Sequence, residues 1–302
     1  MFKKITIIGC GLIGSSILRS LNNHKITDKI SVFDKSKDVQ SFLKKEKLSD
    51  NISNDLVKSV RGADLVIISS PLSSYKEILL SIKDHLDADT ILSDTGSVKK
   101  EVDKIVFNLG MKDVSWIGSH PIAGTEQSGP SAGDKDLFKE RWSILSPPKT
   151  HNKEHLSRLK FFWESLGCKV KVMSSEEHDQ ILSLTSHLPH AIAYNLVVTA
   201  FKDNESFREE IIKYSAGGLR DFTRIASSDP LMWKDIFIDN SDNILKVLDS
   251  FSKNIEEFKK AVAEKNSEKL LKIFSSTKNI RKEIIQAGQD IDKPDFGRKN
   301  IK

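Results

Sequence analysis

The stretch Lys3-Lys-Ile-Thr-Ile-Ile-Gly-Cys-Gly-Leu-Ile-Gly14 decides the fold. Residues 3–8 are a short apolar run rich in β-branched side chains, which is typical of a buried parallel strand. The glycines that follow have the spacing G-x-G-x-x-G, and residues 15–21 predict a helix. Glycine allows a tight turn there and lets backbone amides approach a pyrophosphate at the helix N-terminus. The stretch therefore predicts a dinucleotide-binding unit.

An acidic residue follows the glycine loop at the distance that this unit requires. Residues 29–33 predict a second strand, and Asp34 comes directly after it, 20 residues beyond Gly14. A carboxylate at this position can accept hydrogen bonds from both ribose hydroxyls and would repel a 2′-phosphate. We therefore expect NAD rather than NADP, although the neighbouring Lys35 weakens the preference.

Strands and helices continue to alternate up to residue 173. Further strands are predicted at 63–70, 90–93, 114–118, 143–145 and 168–173, with helices at 74–85 and 153–166. In an open α/β sheet, ligands bind at the carboxyl ends of the strands. Turn-forming or polar residues follow five consecutive strands there. They are Gly9, Asp34, Pro71, the segment 94–97 and His120.

These positions define the predicted cofactor site. They also include Ser97, for which two roles are considered. The predicted cofactor-binding residues are Gly9, Gly11, Leu12, Ile13, Gly14, Asp34, Ser70, Pro71 and Asp94. Ser97 falls at or just before a predicted helix, so its hydroxyl could cap that helix, serve the reaction, or do both.

A candidate base lies in the segment Gly118-Ser-His-Pro-Ile-Ala-Gly-Thr-Glu-Gln-Ser-Gly129. Pro121 removes a donor and restricts His120 to an extended conformation, so we expect this histidine at the exit of a strand. A hydride-transfer enzyme needs one base that is neutral near pH 7, and histidine suits that role. The alternative is a structural loop in which His120 caps a neighbouring element.

The character of the chain changes after Met173, where strand-like runs end and helices follow. We predict a domain 1–173 and a helical domain 174–302, with one helix over 175–188 that ends at Pro189 and another over 190–200. Two later helices carry apolar stripes, and the tail 289–302 is polar. The apolar surface is large for a small domain, so we expect a homodimer, with a self-contained bundle as the alternative.

Three places in the helical half are too polar for a core. His187 and His190 flank a proline, and no acid or cysteine stands at a ligand spacing, so we predict hydrogen bonding or anion binding and no metal. In the segment 217–224, Asp221 can pair with one arginine, which would leave Arg220 or Arg224 for a ligand carboxylate. The segment 227–233 predicts a capped helix start followed by Trp233.

The overall composition excludes several classes of protein. The 302 residues carry a net charge of +5, and the basic residues are too dispersed to predict nucleic-acid binding. The two cysteines form no paired motif, which argues against a disulfide or metal framework. No signal segment and no membrane-length apolar run is present, so we expect a reduced, cytoplasmic protein without membrane contact.

Taken together, these motifs resemble the prephenate/arogenate dehydrogenase family. The matching segments are 9–14, 94–99 (DTGSVK), 118–129 (GSHPIAGTEQSG), 186–190 (SHLPH) and 217–233 (GGLRDFTRIASSDPLMW). The resemblance implies an α/β Rossmann dinucleotide-binding domain followed by an all-α dimerisation domain. It carries no expectation of an added regulatory or mutase module.

The resemblance also implies roles for individual residues. His120 would be the catalytic base, and Ser97 would help to hold the substrate hydroxyl and the nicotinamide. Arg224 would bind a substrate carboxylate. Glu126 would gate the pocket with Asp221 and Trp233 as its support. The implied substrate-binding residues are Arg224, His187, His190, Thr125, Glu126 and Trp233.

The implied reaction is the oxidative decarboxylation of prephenate or arogenate with NAD, in tyrosine biosynthesis. No residue decides between these two substrates. One alternative is a related dehydrogenase of a β-hydroxyacid or an imine, which would rely on a lysine or tyrosine of the helical half. A second alternative is a nucleotide-binding regulator without catalysis, which would have no need of His120, Ser97 and Arg224 together.

Overall fold

The structure is a computed structural model that describes residues 2–49, 51–111, 114–202 and 204–288. Its main sheet has six parallel strands in the order β3-β2-β1-β4-β5-β6, which is the order of a Rossmann dinucleotide-binding fold. The strands are β1 (Phe2–Ile8), β2 (Thr27–Phe33), β3 (Ile52–Ser53), β4 (Leu65–Ile68), β5 (Ile91–Asp94) and β6 (Ser115–Trp116). The connecting helices are α1 (Leu12–His24), α2 (Lys37–Lys45), α3 (Leu56–Val60), α4 (Tyr75–Ile82) and α5 (Lys100–Asn108).

Three further strands leave this sheet and form a second one. They are β7 (Gly118–Pro121), β8 (Trp142–Ser146) and β9 (Lys169–Val172), and α6 (Lys153–Ser165) connects the last two. β7 pairs antiparallel with β8, and His120 lies opposite Ile144 within that pair. The prediction that His120 follows a strand is therefore wrong, because β6 ends at Trp116 and a new strand carries the histidine.

The main sheet is buried on both faces, which explains its unbroken apolar strands. Alternate residues of β4 belong to different hydrophobic clusters: Leu65 and Ile67 lie on one face, and Val66 and Ile68 lie on the other. Trp233 of the helical half packs into the second cluster. A helix that carries pocket residues is thus fixed against the nucleotide-binding sheet.

Beyond Val172, the described chain forms helices and no strands. The helices are α7 (Ser175–Leu182), α8 (Leu188–Phe201), α9 (Arg208–Lys213), α10 (Gly217–Thr223), α11 (Pro230–Asp239), α12 (Ser241–Ala263) and α13 (Ser267–Gln286). The Ser174 hydroxyl caps α7, and the Asp229 carboxylate caps α11 as predicted. The predicted tail 289–302 lies outside the described residues.

Pro189 does not end a helix, contrary to the prediction. A π-helical turn, Ser183–His187, joins α7 directly to α8, and the Leu188 amide donates to the Ser183 carbonyl. Pro189 then falls in the first turn of α8, where its missing N–H costs little. The wide turn absorbs the break, so His187 and His190 lie on one continuous helical segment.

The chain divides into two compact units, Met1–Leu245 and Lys246–Lys302. Every site residue discussed below belongs to the first unit. Within the second, Phe258 and Phe274 bring α12 and α13 together at a ring-centroid distance of 6.2 Å. Within the described ranges, no helix is long and apolar enough to cross a bilayer.

Candidate active site

The glycine loop between β1 and α1 has the geometry of a phosphate cradle. Gly9 adopts a φ of +91°, and a Cβ on Gly14 would stand 2.0 Å from the Gly9 carbonyl oxygen. Both positions therefore require glycine. Gly11 differs because nothing lies within 4 Å of the Cβ that it lacks. It begins α1 without any side-chain cap, so the first amides of the helix stay available to an anion.

Asp34 supports this loop from the end of β2. Its Oδ2 accepts from the Cys10 amide at 2.8 Å, and its Oδ1 accepts from the Ser36 amide at 2.8 Å. The carboxylate remains partly exposed beside the loop. The free amides of α1 can donate to the pyrophosphate of a dinucleotide, and the Asp34 carboxylate can accept from its adenosine ribose. Gly11 leaves the space that the pyrophosphate needs. Ser70 is half-buried and shares a hydrogen bond of 2.8 Å with Ser74, and Pro71 is exposed.

Asp94 was predicted to bind the cofactor, but the structure gives it a structural role. It is fully buried, and its carboxylate accepts from the Ser119 amide, the Gly96 amide and the Lys99 ammonium. Lys99 is also fully buried and donates to the Ser119 carbonyl at 2.8 Å. Since Asp94 has no exposed surface, it holds the loop together rather than touching a cofactor.

Ser97 does not cap the following helix. α5 begins at Lys100, its capping position is Lys99, and no side chain caps it. Ser97 is half-buried, and its hydroxyl makes no hydrogen bond to the residues that the structure describes. The hydroxyl is thus available to a ligand, which leaves the functional reading of Ser97 open and excludes the capping one.

His120 is held by a second histidine and an aspartate on α7. His120 Nδ1 lies 2.8 Å from Nε2 of His178, and Nδ1 of His178 lies 2.7 Å from Oδ1 of Asp179. The Asp179 carboxylate also accepts from the Lys99 and Lys100 amides, each at 2.9 Å, where α5 begins. His178 and Asp179 are buried, whereas His120 keeps a partly exposed surface.

The surroundings keep these histidines neutral. Burial lowers the pKa of His120 well below its usual range, and the nearby His178, Lys99 and His187 lower it further. Burial also lowers the pKa of His178, although the hydrogen bond to Asp179 opposes that change. A neutral imidazole is the form that accepts a proton, and the lowered pKa leaves His120 in that form at pH 7 while it also weakens the ring as a base.

His187 and Trp233 present buried donors. Asn240 donates to His187 Nδ1 at 3.1 Å, which places the proton of the neutral ring on Nε2. His187 Nε2 and Trp233 Nε1 are both buried and have no hydrogen-bond partner in the described chain. Burial lowers the pKa of His187 to about 4. Two orphaned donors in one place are costly, and a ligand acceptor would satisfy them.

His190 and Arg224 lie at the more open side of this group. The His190 ring stacks on Trp233 with a centroid distance of 3.6 Å, and its Nδ1 lies 2.9 Å from the Ser186 carbonyl oxygen. Burial lowers the pKa of His190, and the Arg224 charge lowers it further. The turn that begins at Arg224 packs against α8, and 58% of the Arg224 side chain is exposed.

The arginines and their acidic partners depart from the prediction in two ways. Arg224 follows α10 instead of standing near its start, and it pairs with Glu126 at 3.0 Å. Arg220 pairs with Asp221 at 3.0 Å, so Asp221 has Arg220 as its partner and gives Glu126 no support. Trp233 lies buried against His190. Thr125, next to Glu126, is exposed.

Both parts of the chain match known sequence families. The model for the nucleotide-binding domain of prephenate dehydrogenase matches residues 17–172, and the model for its dimerization domain matches residues 174–276. The chain belongs to the prephenate dehydrogenase family. The predicted family and the predicted fold class are therefore confirmed.

Individual members of the prephenate dehydrogenase family are similar over almost the whole chain. A cyclohexadienyl dehydrogenase from Zymomonas mobilis is 37% identical, over 93% of this chain and 96% of the relative. A prephenate dehydrogenase from Bacillus subtilis is 30% identical, over 92% and 75%. The crystal structure of Aquifex aeolicus prephenate dehydrogenase with hydroxyphenyl propionate and NAD+ has a TM-score of 0.87 and 33% identity, covering 94% of this chain and 99% of that one.

Sequence reasoning missed the residues behind the candidate base. His178, Asp179 and Asn240 look like ordinary polar positions of helices, and only the fold shows that all three are buried. Lys99 was part of a matching motif, but its buried ammonium was not expected. One signal was present: the cap and acidic first turn of α7 place His178 and Asp179 next to a helix start. In the described residues, no group of three or more potential ligands is arranged for a metal.

Proposed function

We propose that this protein catalyses the NAD-dependent oxidative decarboxylation of prephenate or arogenate, with His120 as the base. The observation that carries this proposal is the grouping of a neutral, partly exposed His120 with the buried, unpartnered donors of His187 and Trp233. Asn240 links the two groups, because it donates to the Asp179 carbonyl oxygen at 2.9 Å and to His187 Nδ1 at 3.1 Å. Asp179 in turn holds His178, which contacts His120. One group can take a proton while the others hold an acceptor of the same substrate.

The substrate chemistry needs one base and good positioning. Both substrates are cyclohexadienols with a hydroxyl opposite a quaternary carbon that carries a carboxylate. His120 takes the hydroxyl proton as the hydride leaves C4 of the ring, the bond to the carboxylate breaks, CO2 departs, and the ring becomes aromatic. Bound NAD supplies the hydride acceptor. Because aromatisation drives the reaction, the protein mainly holds the ring and removes one proton.

The remaining residues of the pocket suit the polar groups of the substrate. We propose that the Ser97 hydroxyl shares the ring hydroxyl with His120. Arg224 uses Nη1 for Glu126 and retains further donors for a carboxylate. Glu126 is then a competitor for the guanidinium that a bound carboxylate can replace, which suits a residue at the entrance. His190 and Thr125 complete the proposed contact set.

The cofactor preference rests on Asp34. Its carboxylate stands beside the loop where the adenosine ribose would lie, and a 2′-phosphate there would meet a like charge. Gly9, Gly11, Leu12, Ile13 and Gly14 provide the loop, and Ser70 and Pro71 its neighbouring wall. Lys35 is exposed, and no contact ties it to the loop. We therefore propose NAD as the preferred cofactor.

The proposal extends to the assembly. A domain boundary at residues 173 and 174 agrees with the last strand, β9, and with the ranges of the two family models. The match to a dimerization domain and the exposed apolar side chains of α12 and α13 support a homodimer. Cys10 and Cys168 are free thiols, which suits a reducing cytoplasm.

Formation of reduced nicotinamide with purified protein tests the function. We expect turnover with prephenate, arogenate or both when NAD is supplied, and a lower kcat/KM with NADP. The ratio of kcat/KM for the two substrates assigns the preference. Absence of turnover with both substrates, together with turnover of a β-hydroxyacid or an imine, would refute the proposal. Binding of NAD without any turnover would instead favour a regulator.

A further inference from the structure

We infer that Asp179 and His178 are positioning residues which fix the tautomer of His120 and leave its Nε2 as the free base. This inference rests on the proposed function for the part that concerns catalysis. The three side chains form a single chain of short contacts, from Asp179 Oδ1 to His178 and from His178 to His120. No other titratable group lies between them.

Asp179 is anchored by two backbone amides at the start of α5. Its two oxygens receive the Lys99 and Lys100 amides at 2.9 Å, so the carboxylate bridges the start of α5 and the body of α7. Both oxygens face N–H donors and accept hydrogen bonds from them. Asp179 is 1% exposed, so these contacts are shielded from bulk solvent.

The hydrogen bonds from His120 to His178 and from His178 to Asp179 run in one direction. A carboxylate oxygen that accepts at 2.7 Å requires the proton of His178 on Nδ1. In the neutral ring, Nε2 of His178 is then a lone pair, so it accepts from His120 Nδ1–H at 2.8 Å. The opposite arrangement would place a lone pair of His178 against the carboxylate. With both rings neutral, only one set of proton positions satisfies both contacts.

The second ring nitrogen of His120, Nε2, is left for the substrate. With its proton on Nδ1, the neutral ring carries its lone pair on Nε2, which makes no hydrogen bond within the described ranges. When Nε2 takes the substrate proton, the His120 cation donates through Nδ1–H to the His178 lone pair, in a chain of hydrogen bonds that ends at the Asp179 carboxylate. Lys99 opposes this charge, but it is itself paired with Asp94. The arrangement parallels the aspartate and histidine behind a catalytic serine.

Two variants separate positioning from structural support. In His178→Gln, the amide oxygen can still accept from His120 Nδ1–H, but the link to Asp179 is lost. His178→Leu removes the acceptor entirely. We expect kcat to fall by about 10²-fold or more in His178→Leu and by less in His178→Gln, with the NAD dissociation constant unchanged. Asp179→Asn should resemble His178→Leu, because its amide can donate and reverse the tautomer.

The control is His155→Gln. His155 is also buried and hydrogen-bonded, at 2.6 Å to the Ser115 hydroxyl, but it lies away from His120. Its substitution disturbs a buried histidine without touching the proposed relay, so kcat should be retained. Equal kcat in all relay variants and the control, with NAD binding intact, would overturn the inference.

Nitrogen NMR of the histidine rings gives a readout that needs no turnover. The chain has eight histidines, and the variants assign the signals of His120 and His178. We expect both rings to be neutral near pH 7 with the proton on Nδ1, and His120 to become a tautomer mixture in His178→Leu. A proton on Nε2 of His120 in the native protein would refute the relay. Failure of the proposed function would appear separately, as native protein with this tautomer and no turnover.

Discussion

At the scale of single residues, the useful property of His120 is that its Nε2 lone pair stays unprotonated and accessible although the ring is largely buried. Burial and three neighbouring cations or potential cations lower its pKa, which keeps the ring neutral at physiological pH. The partly exposed surface lets that neutral ring meet a substrate. A base needs both conditions, because a fully exposed imidazole would be partly protonated and a fully enclosed one would be unreachable.

Substitution of this residue has a clear expected outcome. His120→Asn should lower kcat by ~10²–10⁴-fold, the usual contribution of general-base assistance, while NAD binding survives. His24→Asn, which changes an exposed histidine at the end of α1, is the matched control and should retain full activity. Steady-state kinetics and NAD titration measure both effects. Full turnover in His120→Asn would remove this residue from the mechanism.

Arg224 should act on binding more than on rate. A carboxylate contact holds the ground state and the transition state alike, so Arg224→Ala should raise KM by about tenfold with a smaller change in kcat. Arg220→Ala, four residues earlier and paired with Asp221, should leave KM unchanged. Initial rates over a range of substrate concentrations distinguish the two arginines. An unchanged KM for Arg224→Ala would contradict the assigned role.

Four histidines make the stability of the fold depend on pH. The pKa values of His120, His178, His187 and His190 are lowered in the folded protein, that of His187 to about 4. Unfolding restores ordinary values near 6.5, so the unfolded chain binds more protons between pH 6.5 and about 4. The free energy of unfolding should therefore fall as the pH decreases through this window. Urea titrations at several pH values measure it, and a constant or rising stability would contradict the assignment.

The residue scale also shows where sequence reasoning stops. His120, Ser97 and Arg224 were predicted because each belongs to a motif with a chemical requirement. His178 and Asp179 carry no such mark, since a polar pair near a helix start is usually solvated. Their burial arises from α7 packing beside the start of α5, and that is a property of the fold.

At the scale of elements, the loop from β1 to α1 was the most predictable part. Its glycines have separate physical reasons: Gly9 needs its positive φ, Gly14 needs the absence of a Cβ, and Gly11 borders the open space in which we propose that the pyrophosphate lies. The other elements were less predictable where tertiary contacts decide. β7 separates from the main sheet by pairing with β8, and the proline after His187 is accommodated by a π turn.

Gly11 allows folding and binding to be tested apart. A Cβ at Gly11 meets nothing within 4 Å, so Gly11→Ala should keep the melting temperature. The same methyl group would fill the space proposed for the pyrophosphate, so the NAD dissociation constant should rise by about tenfold or more. Gly218→Ala on α10, which is equally unobstructed, is the control. Unchanged NAD affinity in Gly11→Ala would place the cofactor elsewhere.

At the scale of the whole molecule, the Rossmann fold class followed from the sequence, but the use of the helical half did not. The glycine loop and Asp34 predict a dinucleotide-binding domain, and the strand order 3-2-1-4-5-6 agrees with that fold. The helices beyond Val172 leave many apolar side chains exposed in a single chain, for example Leu271 at 66% and Phe274 at 54%. Sequence alone did not decide whether such a surface is covered by the same chain or by a second one.

The proposed homodimer is tested by mass in solution. Light scattering after size exclusion should give twice the 34.0 kDa of one chain. Leu271→Lys places a charge on the exposed face of α13 and should shift the mass toward that of one chain. Leu80→Lys on α4, where Leu80 is 46% exposed, should remain a dimer. A single-chain mass for the unaltered protein would contradict the dimer.

The π turn at Ser183–His187 has a consequence for changes in chain length. Such a turn holds one residue more than the α-helical turn it replaces, and each residue of an α-helix accounts for a rotation of about 100°. Loss of a single residue there would restore regular winding and leave the side chains downstream pointing in the same direction, whereas loss of a residue from a regular α-helical turn would rotate them by about 100°. His190 would therefore stay on the Trp233 ring. Related chains that lack one position in this turn should present the same pocket wall when both histidines are present.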